Sequence, residues 1–229
     1  MAKPLIVILT GAGMSEESGL STFRGADGLW EGHDITEVAS PKGWEANPQL
    51  VNTFYNARRK QLLEVMPNDG HKALAQLENE FDVQIITQNV DDLHERAGSQ
   101  NILHLHGELR KVRNQRGDGI RLWDNDLTLS DLGDDGLPLR PHIVWFGEDV
   151  HAIPTAIEWT RKADYFVVIG TSLQVYPAAN LIYYTASHTE HILIDPYPPQ
   201  HLTIPRLTVY PTKACEGIQE WINQLKQAK

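Results

Sequence analysis

Four short, continuous runs of apolar residues punctuate the chain: Pro4 to Thr10 (PLIVILT), Val83 to Thr87 (VQIIT), Tyr165 to Ile169 (YFVVI) and His191 to Ile194 (HILI). Their largely unbroken apolar character reads as strands buried on both faces. Each ends in a polar or glycine-containing turn: GAG, TQNVD, GTS and DPYPP. Between them lie helical patterns at Pro48 to Val65, His71 to Glu80, Ile153 to Lys162 and Pro177 to Ala186. A last amphipathic helix, Glu216 to Lys226, sets Ile218, Trp221, Ile222 and Leu225 at core-facing spacing. Strands alternating with helices predict an α/β fold with a Rossmann-like, doubly wound parallel sheet. Ligands of such sheets bind outside the carboxyl ends of the strands, so chemistry is expected in the polar turns.

Two stretches break the rhythm and predict a smaller inserted lobe. Gly28 to Met66 is a long excursion after the first turn, and Arg110 to Leu139 is polar and Asp/Gly-rich with one β-like piece, GIRLW. The expected organisation is a single domain over 1–229. Its Rossmann-like part takes approximately 1–27, 67–108 and 141–229, and its small lobe 28–66 and 109–140. Aspartates 118, 124, 126, 131, 134 and 135 lack EF-hand spacing and read as a solvated loop. Leu122, Trp123, Leu127, Leu129 and Leu132 are the candidates for that lobe's core.

Composition narrows the function classes. The chain has 229 residues, 41% hydrophobic and 22% charged, enough for a sizeable core. A net charge of -10 argues against non-specific nucleic-acid binding. The single cysteine, Cys215, excludes an intrachain disulfide and any Cys-rich metal site, and suits a reducing cytoplasm. The opening apolar run is too short to span a membrane and reads as a first strand rather than a signal peptide. Oligomeric state is not legible; a monomer is the default expectation.

The first turn, GAGMSEESGL (Gly11 to Leu20), pairs two glycines with a following helix start, a combination suited to a phosphate. As a GxGxxG motif it is incomplete, because Glu16 stands at the third glycine position, and by itself it fits a tight strand–helix turn equally well. Continued as GAGMSEESGLSTFRGADGLW, it resembles the sirtuin family's cofactor turn and cofactor loop, departing at Ser21, where the family usually has proline. TQNVDDLHERAG (Thr87 to Gly98), HLHGEL, GTSLQVYPAANL and IVWFGE extend the resemblance over nearly the whole chain except 110 to 138.

The resemblance implies an NAD-dependent protein-lysine deacylase. Gly11, Ala12, Gly13, Ser15, Phe23, Arg24, Gly170, Thr171, Ser172, Ala214 and Cys215 would contact NAD, with Asp195 standing where the family usually has asparagine. Asp91 would meet the nicotinamide carboxamide, Asn89 a water and the ribose, and Gln88 the ribose; Asn89 and Asp91 are also counted as catalytic. His106 matches the general base, chosen over His94 and His104 because it precedes Gly-Glu-Leu, and imidazole titrates near neutrality. In the implied reaction the acyl oxygen attacks the ribose as nicotinamide leaves, yielding lysine and O-acyl-ADP-ribose.

IVWFGE (Ile143 to Glu148) resembles the strand that pairs with an acylated-lysine peptide, with Val144, Phe146, Gly147 and Glu148 as its contacts. Tyr55 and Arg58 stand three apart on a predicted helix and so share a face. Taken alone, they read as a half-buried tyrosine on an exposed basic face. At this place in the family, a Tyr-x-x-Arg pair resembles the class that removes succinyl and malonyl groups, and Ala26 fits its roomier pocket. A guanidinium and a phenol together suit a distal carboxylate.

Most of the family holds a structural zinc with two Cys-x-x-Cys pairs. Here Asn114 stands at the expected first cysteine and LGDDGLP at the second pair, so no zinc is expected and the small lobe must be held otherwise. Two other functions stay open: NAD hydrolysis or ADP-ribosyl transfer on the same fold, and a non-catalytic NAD or ADP-ribose binding module.

Overall fold

A computed structural model describes residues 3–20, 30, 32–199 and 202–227. In chain order its elements are β1 (Leu5–Thr10), α1 (Gly13–Glu16), α2 (Ile35–Val38), α3 (Pro41–Ala46), α4 (Pro48–Glu64), α5 (Asp69–Leu77), β2 (Asp82–Thr87), α6 (Leu93–Ala97), β3 (Ile102–His104) and β4 (Gly107–Arg113). There follow β5 (Arg121–Leu122), β6 (Arg140–Ile143), α7 (Ile153–Arg161), β7 (Tyr165–Ile169), a short 3-10 helix (Ala178–Tyr184), β8 (Glu190–Ile194), β9 (Leu207–Tyr210) and α8 (Ala214–Gln227).

The four apolar runs form the middle of a six-stranded sheet ordered β3-β2-β1-β7-β8-β9, every pair parallel. Their continuous apolar character has a direct cause. Ile6 and Ile8 face a layer containing α5 and α8, with Leu74, Ile218 and Trp221, while Val7 and Leu9 face the opposite layer, with Ala156, Leu181 and Ile182. Both faces are covered, so no position along these strands is polar by default. The strand order reverses direction between β1 and β7, and the crevice above that pair is the expected ligand site.

A second sheet, β5-β4-β6, is antiparallel. Helix α4 packs on it through Val51, Phe54, Tyr55 and Leu62 against Leu109, Ile143 and Trp145. Burying such side chains stabilises by roughly 1.5–3 kcal/mol each, which fixes α4 to the sheet.

Several expectations require correction. Helix α5 begins earlier than His71 because Asn68 caps it, its side-chain oxygen accepting the His71 amide at 3.1 Å. The Pro177 to Ala186 segment forms a 3-10 helix, Ala178–Tyr184, rather than a full α-helix. IVWFGE is no strand beyond Ile143: Val144 to Glu148 turns away from the sheet. Within 110–139 the buried apolar residues are Val112, Leu127 and Leu139 with Trp123 packed on them, whereas Leu122 and Leu132 are 69% and 53% exposed.

Hydrogen bonds knit the region where the resemblance would place a metal clip. Asn114, 1% exposed, donates its backbone and side-chain N–H groups to Asp118 at 2.9 and 2.7 Å. The other turn closes through Gly133 N–H to the Leu137 carbonyl at 2.8 Å. Gln115 joins the two: its amide donates to the Asp135 carboxylate at 3.2 Å, and its side-chain amide to the Pro138 carbonyl.

Candidate active site

Turns from adjacent strand ends converge above the β1–β7 switch point. Gly11 and Gly13 follow β1, and Gly170 follows β7 with φ +62°. A Cβ at Gly11 would stand 2.6 Å from the Thr171 side chain, and one at Gly13 would stand 2.7 Å from the Gly170 backbone. The two turns therefore touch backbone to backbone, and Gly13 N–H donates to the Gly170 carbonyl at 2.9 Å. This contact is one reason for the glycines, and it leaves a side-chain-free floor suited to a pyrophosphate.

One part of the phosphate expectation changes. Helix α1 is only four residues long, and its amides are already committed: Met14 to Gly11 O and Ser15 to Ala12 O, each at 3.0 Å. A long helix N-terminus is not the source of affinity here.

The β2 turn supplies the densest polar cluster. Asn89 donates its side-chain N–H groups to the Gly11 carbonyl at 2.9 Å and to Ser15 Oγ at 3.1 Å. Ser15 Oγ in turn donates to Asp91 Oδ2 at 2.9 Å, and Asp91 Oδ1 accepts the Leu93 amide at 3.1 Å, closing the turn into α6. Burial pushes the Asp91 carboxyl pKa upward, against the bonds from Ser15 and Leu93 that lower it. Gln88 donates to Thr171 Oγ1 at 3.2 Å, tying the β2 and β7 turns together. The side chains of Asn89, Ser15 and Asp91 thus form one connected group, and those of Gln88 and Thr171 a second beside it.

Three histidines cluster near this site, and their surroundings separate them. His94 is 2% exposed, its Nε2 against Thr10 Oγ1 at 3.2 Å, and burial holds its pKa well below the ordinary value. His104 Nε2 is held by Glu95 at 2.7 Å. His106 Nδ1 lies 2.9 Å from the Gln88 carbonyl. A carbonyl only accepts, so Nδ1 carries the proton and Nε2 of the neutral ring is left with its lone pair. Burial lowers the His106 pKa, which favours that neutral form. Gly107 follows with φ +82°, and a Cβ there would stand 2.1 Å from the His142 carbonyl; only glycine lets β4 leave His106 in this direction.

Asp195, at the end of β8, is 9% exposed and accepts the Tyr197 amide at 2.8 Å, with burial raising its pKa. Ser172 is exposed beside buried Thr171. Ala214 is buried in the main core, and half-buried Cys215 donates its amide to Glu17 at 2.9 Å. Phe23, Arg24 and Ala26 lie outside the described residues.

On the small-sheet side, Tyr55 is completely buried, and its hydroxyl oxygen accepts the Trp145 indole N–H at 3.1 Å. Burial pushes the phenol pKa upward, so it stays a donor. Half-buried Arg58 sets its guanidinium 5.7 Å from the Trp30 ring centroid. Val144 is half-buried, whereas Phe146 and Gly147 are exposed. The amides of Val144 and Phe146 are engaged by the carbonyls of His106 (2.9 Å) and Ala39 (3.0 Å), so an added strand would meet this segment through other groups. Glu148 is held by Arg140 at 2.7 and 3.0 Å and accepts the Trp145 amide at 2.8 Å.

The sequence reading missed Arg140 and Arg59. Arg140 lies 3.4 Å over the Trp145 ring, completing the chain Arg140–Trp145–Tyr55. Arg59 is 1% exposed and donates to the Leu109 carbonyl at 3.0 Å and Asn56 Oδ1 at 2.8 Å. Its only sequence signal was helical phase: it falls on the same side of α4 as Tyr55 and Leu62, opposite the surface expected of a charged residue.

The strand order, the switch-point crevice and the glycine floor define a dinucleotide-binding α/β protein with an inserted antiparallel sheet. The sequence profile of the Sir2 family matches residues 11–177, and the chain belongs to that family. An NAD-dependent protein deacylase of Helicobacter pylori is 60% identical over 194 residues, covering 83% of this chain and 84% of that protein. One of Bacteroides thetaiotaomicron is 52% identical over 94% of this chain and 95% of its own length. A solved Sir2 homologue–NAD complex superimposes with a TM-score of 0.88 at 37% identity, covering 99% of this chain and 91% of that one. No helix among the described residues is long and apolar enough to cross a membrane.

Proposed function

We propose that the chain is an NAD-dependent protein-lysine deacylase that removes succinyl and malonyl groups as well as acetyl. The observation that carries the catalytic reading is His106: the Gln88 carbonyl fixes its tautomer and burial keeps it neutral, leaving Nε2 as a base beside the Asn89–Asp91 turn. The crevice residues Gly11, Ala12, Gly13, Ser15, Gln88, Thr171 and Ser172 would hold NAD, with Asp195 accepting from ribose hydroxyls. Bound NAD supplies a ribose carbon made electrophilic by the departing nicotinamide. Asn89 and Asp91 orient what binds beside Ser15. His106 Nε2 takes a proton from a hydroxyl, and the ring becomes an imidazolium still donating from Nδ1 to Gln88.

The acyl preference rests on Tyr55. Its oxygen accepts from Trp145, which leaves its own proton for a carboxylate, and Arg58 on the same helix supplies the positive charge. The small lobe is read as zinc-free, its turns held by Asn114, Gln115, Asp118 and Asp135. The acyl-lysine would lie between the lobes, near Val144. We place the protein in the cytoplasm. Replacing the base tests the catalytic reading: His106→Ala should lower deacylation by at least about 100-fold while leaving the thermal midpoint intact. Undiminished turnover in that variant would remove His106 from the mechanism.

A further inference from the structure

Glu95 on α6, His104 at the end of β3 and Glu108 on β4 bring one imidazole nitrogen and two carboxylate oxygens within 4.8 Å of one another. We propose that this trio is a binding site for a borderline transition-metal dication such as Zn²⁺, beside the Asn89 backbone of the β2 turn.

The donor set is the first argument. Two carboxylates and an imidazole suit zinc, cobalt or nickel better than magnesium or calcium, which favour oxygen donors alone. The second is orientation from outside the trio. His104 Nδ1 lies 3.2 Å from the Asn89 carbonyl, which can only accept a hydrogen bond. The Nδ1–H is therefore fixed and Nε2 is aimed at the carboxylates. A metal-ligating histidine is commonly held this way, its second nitrogen donating to a backbone carbonyl.

The third argument is charge. Glu95 holds His104 Nε2 at 2.7 Å, and Glu108 is paired with Lys111 Nζ at 2.6 Å. Lys111 is thus a cation already standing against one of the two carboxylates, and a dication between them would take its place. Donors around tetrahedral zinc stand about 3.4 Å apart, so the trio must contract modestly once Lys111 moves aside. The side chains are reachable from solvent, at 9% exposure for His104, 39% for Glu95 and 23% for Glu108. This site is unrelated to the family's Cys-coordinated zinc, and it does not depend on the acyl assignment.

The test is calorimetric titration of the chelator-treated full chain with ZnCl₂. The expected result is saturable one-to-one binding, weakened at least about tenfold by Glu108→Gln and lost in His104→Gln. His188→Gln, a surface control paired with Asp164, should bind as the parent does. Lys111→Met should tighten binding about fivefold or more, because it removes the competing cation; a merely structural salt-bridge cluster has no reason to do so. Should His104→Gln fail to fold, the Glu108 and Lys111 variants still decide the matter. Unchanged affinity in Glu108→Gln, no tightening in Lys111→Met, no saturation below about 1 mM, or Mg²⁺ binding as tightly as Zn²⁺ would each overturn the proposal.

Discussion

Neighbouring arginines on α4 should have opposite phenotypes, and Arg59→Met is the sharper half of that contrast. Arg59 Nε donates to the Leu109 carbonyl on β4, and Nη1 donates to Asn56 Oδ1 and the Asn125 carbonyl, so one guanidinium ties α4 to the small sheet and the loop after it. Methionine keeps much of the stem but takes the donor from the Leu109 and Asn125 carbonyls, while Asn56 Oδ1 keeps the Leu127 amide at 2.8 Å. At roughly 1–3 kcal/mol for each buried acceptor, the gross loss is about 5 kcal/mol. Part is returned, because burial opposes the charge and lowers the arginine pKa to about 10. That shift corresponds to about 3 kcal/mol of charge burial no longer needed. The net destabilisation is about 2 kcal/mol, or about 4–8 °C in Tm for a domain of this size. Scanning calorimetry on both variants reads it. Arg58→Met, at a half-buried position with its guanidinium 5.7 Å over the Trp30 ring, should cost less than the Arg59 change. A Tm for Arg59→Met within about 2 °C of the parent would refute the reasoning.

Three further outcomes follow from the same geometry. His71 is fully buried and burial lowers its pKa to about 4, whereas the unfolded chain protonates near 6.5. Between those values the unfolded state binds the extra proton, so stability falls as pH falls, by about 2 kcal/mol at pH 5. His94 acts in the same direction and buried Asp91 against it; a urea midpoint unchanged or higher at pH 5 than at pH 7 would contradict this. His106 is also lowered by burial, so kcat/KM should stay flat from pH 8 to below 6.5 and fall only under that; a midpoint above 6.5 would exclude it as the base. Finally, a chelator should leave the circular dichroism and activity of the parent intact, while Asp135→Ala costs about 1–2 kcal/mol by freeing the Gln115 amide. Loss of structure in chelator would mean a metal holds the lobe.

The parallel sheet was legible because both of its faces are covered, which turns each central strand into an unbroken apolar word such as YFVVI. The β-like piece GIRLW does contain β5, but the edge strand β3 and the small-sheet strand β4 were not legible. Ile102–His104 is three residues long, and GELRKVR places charged residues on its open side, so neither carries a clear period. IVWFGE reads as β-rich by composition, yet Trp145 leaves the sheet to meet Tyr55 and Arg140, and that tertiary contact outweighs local propensity. In the site, the motif strings located Gln88, Asn89, Asp91 and His106, but not what distinguishes His106 from His94 and His104. That difference lies in carbonyls, carboxylates and burial supplied by other segments. Leu122 and Leu132 were expected in the small lobe's core on hydrophobicity alone; the cluster there closes around Val112, Leu127 and Leu139 without them, and hydrogen bonds among Asn114, Gln115, Asp118 and Asp135 join the turns.

The central claim, an NAD-consuming deacylase whose α4 pair reads a carboxylate, is tested most directly by nicotinamide release. Succinyl-, acetyl- and unmodified-lysine peptides should be compared with parent, Tyr55→Phe and Arg58→Met proteins. The account predicts release with both acylated peptides and none with the unmodified one. Each substitution should cut the succinyl rate at least about tenfold more than the acetyl rate. Equal losses on both peptides would contradict the pocket assignment, and release without any acyl group would contradict deacylation itself.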